Sequence, residues 1–140
     1  MAVHGAGGNA STVDRRVGLS VRYPGRWRRG RVLLAGDAAH QMPPFLGQDL
    51  CAGLRDVANL AWKLAVAVRD AAPDALLDSY QSERAPHVQA IIALAVRLGG
   101  LIQTVNPAEA AARDRRMVDA PETLRVVMPA PGPGLGTRLD

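Results

Sequence analysis

The sequence predicts an α/β chain that is mostly helical, in which one short buried strand leads into a long helix. Three patterns support this prediction. Residues 17–23 alternate between apolar and polar side chains, which is the period of a half-buried strand. Residues 31–36 are apolar on both faces and end in glycine, as in a fully buried strand. Residues 48–70 repeat apolar side chains at three- and four-residue spacing, which indicates an amphipathic helix.

The segments around these strands are expected to be irregular. A flexible arm is predicted for residues 1–16, because this stretch is mostly small and polar and has no periodicity. The strand over residues 17–23 should end at Pro24-Gly25, which favours a turn. Residues 37–46 contain Pro43-Pro44 and therefore cannot be regular structure throughout.

Helices are predicted for most of the remaining chain. The first should bury an apolar stripe formed by Leu50, Leu54, Val57, Ala61, Leu64 and Val68. Two separate helices are expected over residues 74–84 and 85–102, because Pro86 suits a first turn. Asn106 as N-cap and Pro107 at the first position predict a helix that ends near Val118. Residues 119–140 are interpreted as a Pro/Gly-rich linker or tail.

Composition excludes several classes of protein. An apolar fraction of 48% is too high for full disorder. No apolar run approaches the ~20 residues of a membrane span, and no signal peptide is visible. We therefore expect a cytoplasmic protein without a membrane partner. Cys51 is the only cysteine, which excludes an internal disulfide and a zinc site built on paired cysteines, and no metal site is predicted.

The net charge of +4 has two interpretations. Seven arginines lie in residues 15–31, a density that resembles an electrostatic footprint for nucleic acid. The segment has no helix-turn-helix pattern, however, and the chain has only five Phe, Trp or Tyr residues for stacking on bases. The favoured interpretation is an arginine-rich turn between two strands, with no nucleic-acid partner.

Two strands give no sheet large enough to cover the apolar faces of these helices. The sequence therefore looks like part of a larger domain, and residues 17–118 are expected to form its carboxyl-terminal part. Apolar helix faces that stay uncovered favour self-association.

The chemistry is predicted to lie where the buried strand ends. Gly36 and Asp37 fall at its carboxyl end, where α/β sheets bind ligands, and the acid can accept hydrogen bonds from ligand hydroxyls. Gly47 allows close approach of the backbone, and the helix after it offers unpaired N–H groups and the positive end of its dipole. The ligand should therefore offer hydroxyls at one end and developing negative charge at the other.

These segments resemble the second FAD-binding motif of the class A flavoprotein aromatic monooxygenases, a family that includes enzymes similar to para-hydroxybenzoate hydroxylase and hydroxyphenylpropionate hydroxylase. The resemblance rests on Gly36–His40, Pro43-Pro44, Gly47-Gln48 and residues 59–64, and residues 77–87 resemble the family's helix junction. It implies an enzyme in which NADPH or NADH reduces FAD. A flavin hydroperoxide would then hydroxylate a small aromatic substrate, phenolic or polyketide-like.

The resemblance also implies roles for individual residues. Asp37 would accept hydrogen bonds from the ribityl or pyrophosphate region of FAD, and Pro44 would lie near the flavin ring and the substrate. No other residue is assigned to catalysis. The helix start would face the flavin pyrimidine and stabilise its negative charge. The implied cofactor-binding residues are Gly36, Asp37, Pro44, Gly47, Gln48, Asp49, Leu50 and Cys51.

Two features depart from the family pattern. Asp49 stands where the family usually has glycine, so its carboxylate would crowd and repel the reduced flavin. The amino-terminal G-x-G-x-x-G fingerprint between a strand and a helix is missing. The chain therefore resembles only the carboxyl-terminal part of a hydroxylase and is expected to be incomplete and inactive alone. The alternative is a truncated remnant or a helical interaction module without catalysis.

Two polar features receive structural interpretations. His40 is expected to hold local backbone in the loop, since the flavin itself is the reagent in these hydroxylations. Glu83 and Arg84 are expected to form an ion pair with each other at the helix junction.

Overall fold

Three helices dominate the computed structural model, which describes residues 10–14, 19–70 and 72–132. They are α1 (Asp49–Arg69), α2 (Asp74–Ile102) and α3 (Pro107–Asp119). Four short strands precede them and form two antiparallel pairs, and two 3-10 turns connect the last strand to α1. The described chain is thus mostly helical, as the sequence predicts.

The first strand pair lies partly where the sequence predicts an arm. β1 (Ala10–Asp14) pairs with β2 (Leu19–Tyr23), which is the predicted strand. The expectation of a flexible arm is wrong over residues 10–14, while residues 1–9 and 15–18 lie outside the described residues. Five residues show no clear period, but β2 supplies the backbone hydrogen bonds that make them a strand.

The predicted buried strand over residues 31–36 is wrong. Only β4 (Val32–Leu33) is a strand there, and it pairs with β3 (Arg28–Arg29) around Gly30. The side chain of Val32 is 65% exposed. A strand is buried on both faces only between two covering layers, and this hairpin is covered on one side. Arg28 and Arg29 of the arginine-rich segment form the strand β3, and Arg28 pairs with Asp74 on α2 at 2.6 Å.

The first helix has the predicted extent but buries the opposite face. Leu50 and Leu54 of the predicted stripe are 75% and 60% exposed. The residues of α1 that are buried are Ala52, Asp56, Asn59, Leu60 and Lys63. Periodicity predicts that a helix has two faces, but the neighbouring elements decide which of them is covered. Here α2 and the 3-10 turn Gly36–Ala38 cover the polar face of α1. The charged side chains on this face have partners of opposite charge.

The second helix runs without the break that the sequence predicts at Pro86. Proline removes one helical hydrogen bond, which is a local cost. Tyr80 and Arg84 before it and Val88 and Ile91 after it are buried in the same core, so packing holds both halves on one axis. Of the apolar side chains after Pro86, Val88, Ile91, Ile92 and Ala95 are buried, whereas Ile102 is exposed.

Length and composition alone would allow α2 to cross a membrane, and it is the one helix of the described residues that passes this test. Its most apolar 18-residue window has a mean hydropathy of 1.5, and 39% of that window is buried against the rest of the chain. The core helix of a soluble protein passes the same test, so the finding is weak evidence for a membrane partner.

The last helix begins as the sequence predicts. Asn106 Oδ1 accepts hydrogen bonds from the N–H groups of Ala108 (2.9 Å) and Glu109 (3.3 Å). Within residues 119–140, interpreted from the sequence as a linker or tail, the backbone around residues 130–131 contacts α2. The carbonyl of Ala130 lies 2.7 Å from His87 Nδ1, and the carbonyl of Pro131 accepts a hydrogen bond from Arg84. Residues 133–140 lie outside the described part of the chain.

An aromatic cluster forms the centre of the core. Trp27 is fully buried, and its ring lies 5.4 Å from Tyr80, 5.5 Å from His40 and 5.7 Å from Tyr23. The hydroxyl of Tyr80 donates to the carbonyl of Leu34 at 3.1 Å. The cluster therefore supports the loop that leads from β4 towards α1.

Candidate functional site

All eight residues that the sequence assigns to cofactor binding lie on one continuous segment, residues 36–51. It consists of the 3-10 turn Gly36–Ala38, the 3-10 turn Pro44–Leu46 and the first turn of α1. Of this segment only residues 49–51 belong to an α-helix, and contacts with α1 and α2 support the rest.

Gly36 begins the first turn in a conformation that favours glycine, with φ of +55°. The N–H groups of Ala39 and His40 both donate to its carbonyl, at 2.8 and 2.9 Å. A Cβ on Gly53 of α1 would lie 3.4 Å from Gly36 Cα, so the turn sits close against the helix. Asp37 lies within this turn and is exposed. The fold therefore presents its carboxylate outwards from a fixed turn.

The second turn is held from both ends. Gly47 ends it with φ of +60° and donates its N–H to the carbonyl of Pro44 at 3.0 Å. The Phe45 ring packs against Gly99 of α2, where a Cβ would come within 2.7 Å of Phe45 Cδ2. Pro44 itself is exposed.

The start of α1 has free hydrogen-bond donors. Gln48 is the N-cap, but its side chain makes no capping bond, and its carbonyl accepts the N–H of Ala52 at 2.8 Å. Within the described residues, the N–H groups of Asp49, Leu50 and Cys51 have no protein acceptor. Such groups at a helix start attract negative charge.

A second carboxyl group lies at the same place. Burial raises the pKa of Asp49, and the charge of Asp37 raises it further, while His40 opposes them. The Oδ1 atom of Asp49 is buried and has no partner among the described residues. The free donors of α1 and two acidic groups therefore share one edge of the molecule.

Behind this edge lies a buried polar cluster that the sequence analysis did not identify. Asp56 Oδ2 lies 2.6 Å from His40 Nε2 and accepts the Gly36 N–H at 3.1 Å, while its Oδ1 accepts from Arg84 Nε at 3.1 Å. Burial alone would raise the pKa of Asp56, but the bonds from His40, Gly36 and Arg84 hold it below its ordinary value.

The predicted ion pair between Glu83 and Arg84 is wrong. Glu83 Oε2 lies 2.8 Å from Lys63 Nζ and accepts from Asn59 Nδ2 at 2.7 Å, whereas Arg84 binds Asp56. Consecutive helical residues point about 100° apart, so the two reach different partners on α1. The ring of His40 contacts the Asp56 side chain, whereas the sequence analysis expects it to hold the local backbone. The three- and four-residue spacing of Asp56, Asn59 and Lys63 is the signal that could have found this face.

No cluster of three or more metal-binding side chains occurs within the described ranges. Cys51 is a free, half-buried thiol near the start of α1.

Comparison with known proteins points to one family. A family model described as "FAD binding domain" matches residues 5–95. A probable NADH-specific resorcinol 4-hydroxylase of Rhodococcus jostii is 54% identical over 95 residues, which cover 68% of this chain. A 3-(3-hydroxy-phenyl)propionate/3-hydroxycinnamic acid hydroxylase of Mycolicibacterium smegmatis is 51% identical over 94 residues, or 67% of the chain. The aligned regions span only 18% and 17% of those relatives' own lengths.

Solved structures agree with this match. OxyS, an anhydrotetracycline hydroxylase from Streptomyces rimosus, superposes with a TM-score of 0.63 at 38% identity, over 74% of this chain and 22% of that one. Aklavinone-11 hydroxylase, solved with FAD and aklavinone, superposes with a TM-score of 0.55 at 41% identity, over 58% of this chain and 15% of its own.

Proposed function

This chain belongs to the FAD-binding domain family, and on that premise we propose that it supplies the flavin-facing part of an aromatic-ring hydroxylase that uses NADH or NADPH. The observation that supports the proposal is the convergence on residues 36–51. An outward carboxylate at Asp37, a glycine turn at Gly47 and the free N–H groups at the start of α1 lie on one short segment.

The residues present fit FAD. The Asp37 carboxylate suits the hydroxyls of the ribityl chain, and the donors of Asp49, Leu50 and Cys51 suit the negative charge of a reduced flavin ring. Gly36 and Gly47 keep the backbone of the two turns free of side chains where a ligand must approach closely. When bound, FAD supplies the redox chemistry that connects a nicotinamide, oxygen and an aromatic ring.

Pro44 is proposed to lie beside the flavin ring and the substrate. It is exposed at the start of the second turn, and the packing of Phe45 against α2 holds that turn in place. The two relatives are named for hydroxylated aromatic compounds, and we propose the same class, a small aromatic ring that carries a hydroxyl group. Supply of NADH or NADPH fits the cytoplasm as the place of the reaction.

The 140 residues by themselves are proposed to be inactive. They match less than a fifth of the length of the two relatives, so the adenosine and nicotinamide sites would have to come from additional sequence.

A chimera tests the proposed function. The 95-residue region of the resorcinol hydroxylase relative is replaced by the matching region of this chain. We expect the chimera to purify with bound FAD and to oxidise NADH in the presence of resorcinol, and Asp37→Ala in the chimera to lose most of the flavin. A folded chimera that purifies without flavin would contradict the proposal. The 140-residue chain alone should oxidise no NADH.

One observation favours the alternative of a helical interaction module without catalysis. The apolar stripe of α1, which includes Leu50, Leu54, Val57 and Val68, is exposed in the described chain. If this face binds a protein and the flavin segment is a relic, the chimera would fold without FAD, whereas the isolated chain would still associate through α1.

A further inference from the structure

The carboxylate of Asp56 contacts the turn that contains Asp37 from the buried side of that turn. Asp56 is fully buried on α1, and its Oδ2 atom accepts the N–H of Gly36 at 3.1 Å and lies 2.6 Å from His40 Nε2. Gly36 begins the 3-10 turn Gly36–Ala38, and His40, two residues after its end, donates its N–H to the Gly36 carbonyl. We call these five residues the Gly36–His40 turn. One oxygen atom therefore fixes both of its ends.

The charge that makes Asp56 a strong acceptor is compensated locally. Its Oδ1 atom accepts from Arg84 Nε on α2 at 3.1 Å, and Arg84 Nη1 donates to the carbonyl of Pro131 at 2.9 Å. A buried carboxylate is stable only when it is paired and hydrogen-bonded, and both conditions hold here.

Asp37 depends on this arrangement for its direction. Within the described residues, the Asp37 carboxylate accepts no hydrogen bond from the protein, so the backbone alone orients it. That backbone is closed by the bonds from Ala39 and His40 to the Gly36 carbonyl, and Gly36 has the conformational freedom of glycine. The bond from the Gly36 N–H to Asp56 adds a restraint from α1 to this freedom.

We propose that Asp56 is a positioning residue, which fixes the Gly36–His40 turn so that Asp37 is preorganised to bind FAD. The inference rests on the proposed function. Binding groups that are held by buried neighbours lose little entropy when the ligand arrives, which is the benefit of such support.

A purely structural role for Asp56 is the competing explanation, and Glu83 provides a matched control. Glu83 is also a carboxylate in an ion pair between α1 and α2, with Lys63 as its partner at 2.8 Å. Among the described residues, its carboxylate makes no hydrogen bond or ion pair with the Gly36–His40 turn. Loss of either carboxylate should destabilise the helix pair, but only loss of Asp56 should release the turn.

The test compares Asp56→Asn with Glu83→Gln in two settings. In the chimeric hydroxylase, Asp56→Asn should weaken FAD binding roughly ten- to hundredfold, the range for a lost hydrogen bond to a charged group, and Glu83→Gln should change it little. In the 140-residue chain without FAD, amide hydrogen exchange of Gly36, Ala39 and His40 should be at least about tenfold faster in Asp56→Asn than in Glu83→Gln.

Equal effects of the two variants on FAD binding, or unchanged exchange in the turn, would overturn the proposal. If the unsubstituted chimera folds but binds no FAD, the proposed function fails, and hydrogen exchange still decides whether Asp56 holds the turn. If Asp56→Asn does not fold, His40→Leu and His40→Gln replace it. The leucine removes the donor to Asp56 and should weaken FAD binding, whereas glutamine keeps a donor and should restore part of it.

Discussion

Asp49 lies at the proposed flavin site, at the position where the resemblance described above implies a glycine. Burial and the neighbouring charge of Asp37 raise its pKa, which means that its ionised form is disfavoured there. A reduced flavin would add a further negative charge to this edge. The carboxylate is thus expected to oppose FAD binding at neutral pH and to do so less as pH falls and Asp49 is protonated.

We predict that Asp49→Gly in the chimera tightens FAD binding by up to about fivefold at neutral pH, the size of a partly exposed charge interaction, and raises the flavin reduction potential. Asp49→Asn separates charge from crowding, because it keeps the size and removes the charge. Asp70→Gly, at the other end of α1, is the control. Titration of FAD fluorescence and a redox titration measure both quantities, and no change in either with Asp49→Gly would refute the prediction.

His87 is predicted to make stability depend on pH. Burial lowers its pKa, as do the charges of Arg84 and Arg55, although the contact with the Ala130 carbonyl opposes them. The unfolded chain therefore binds a proton near the ordinary value of about 6.5, where the folded chain does not. The free energy of unfolding therefore falls as the pH decreases from about 6.5 to the pKa of His87 in the folded chain.

Urea denaturation between about pH 7.5 and pH 5.5 measures this effect. The free energy of unfolding should fall with a slope of at most about 1.4 kcal/mol per pH unit, and His87→Gln should flatten the curve. The lowered pKa values of Asp56 and Glu83 keep both ionised over this range. The raised pKa of Asp49 acts with the opposite sign, and the comparison with His87→Gln separates the two groups. The prediction is wrong if the substituted and unsubstituted chains show the same slope.

At the scale of elements, the contact between α2 and the second turn is predicted to tolerate no added methyl group. Gly99→Ala places a Cβ against the Phe45 ring, so the ring and its turn must shift, at a cost of about 1 kcal/mol or more. Gly100→Ala is the matched control, because nothing lies within 4 Å of its Cβ position. It should stabilise the helix by about 0.5–1 kcal/mol.

Urea denaturation of both variants decides the point. A loss of stability with Gly99→Ala and a gain with Gly100→Ala would show that α2 fixes the turn through Phe45. A gain in stability with both substitutions would show that the ring moves freely.

At the scale of the whole molecule, the exposed face of α1 is predicted to drive self-association of the isolated chain. Each apolar side chain that becomes buried contributes about 1.5–3 kcal/mol, so Leu54→Glu with Val68→Glu should weaken association more than about tenfold. Val118→Glu changes an equally exposed valine on α3 and serves as the control. Sedimentation velocity over a concentration series is the measurement, and a monomeric unsubstituted chain would contradict the prediction.

The sequence by itself determined the features that depend on neighbouring residues. The extent of α1 and the Asn106 cap of α3 follow from local propensity and from hydrogen bonds between near neighbours. It also predicted the family, because the motif that resembles FAD-binding hydroxylases is continuous in the chain.

Only the tertiary structure decided which face of α1 is buried, whether α2 continues through Pro86 and where the charged side chains find partners. These outcomes depend on residues far apart in sequence. Asp56 meets His40 and Arg84 across 16 and 28 residues, and no local pattern contains that contact. A helical period is the same whether its polar or its apolar face is covered, so the choice rests with the elements that pack against it.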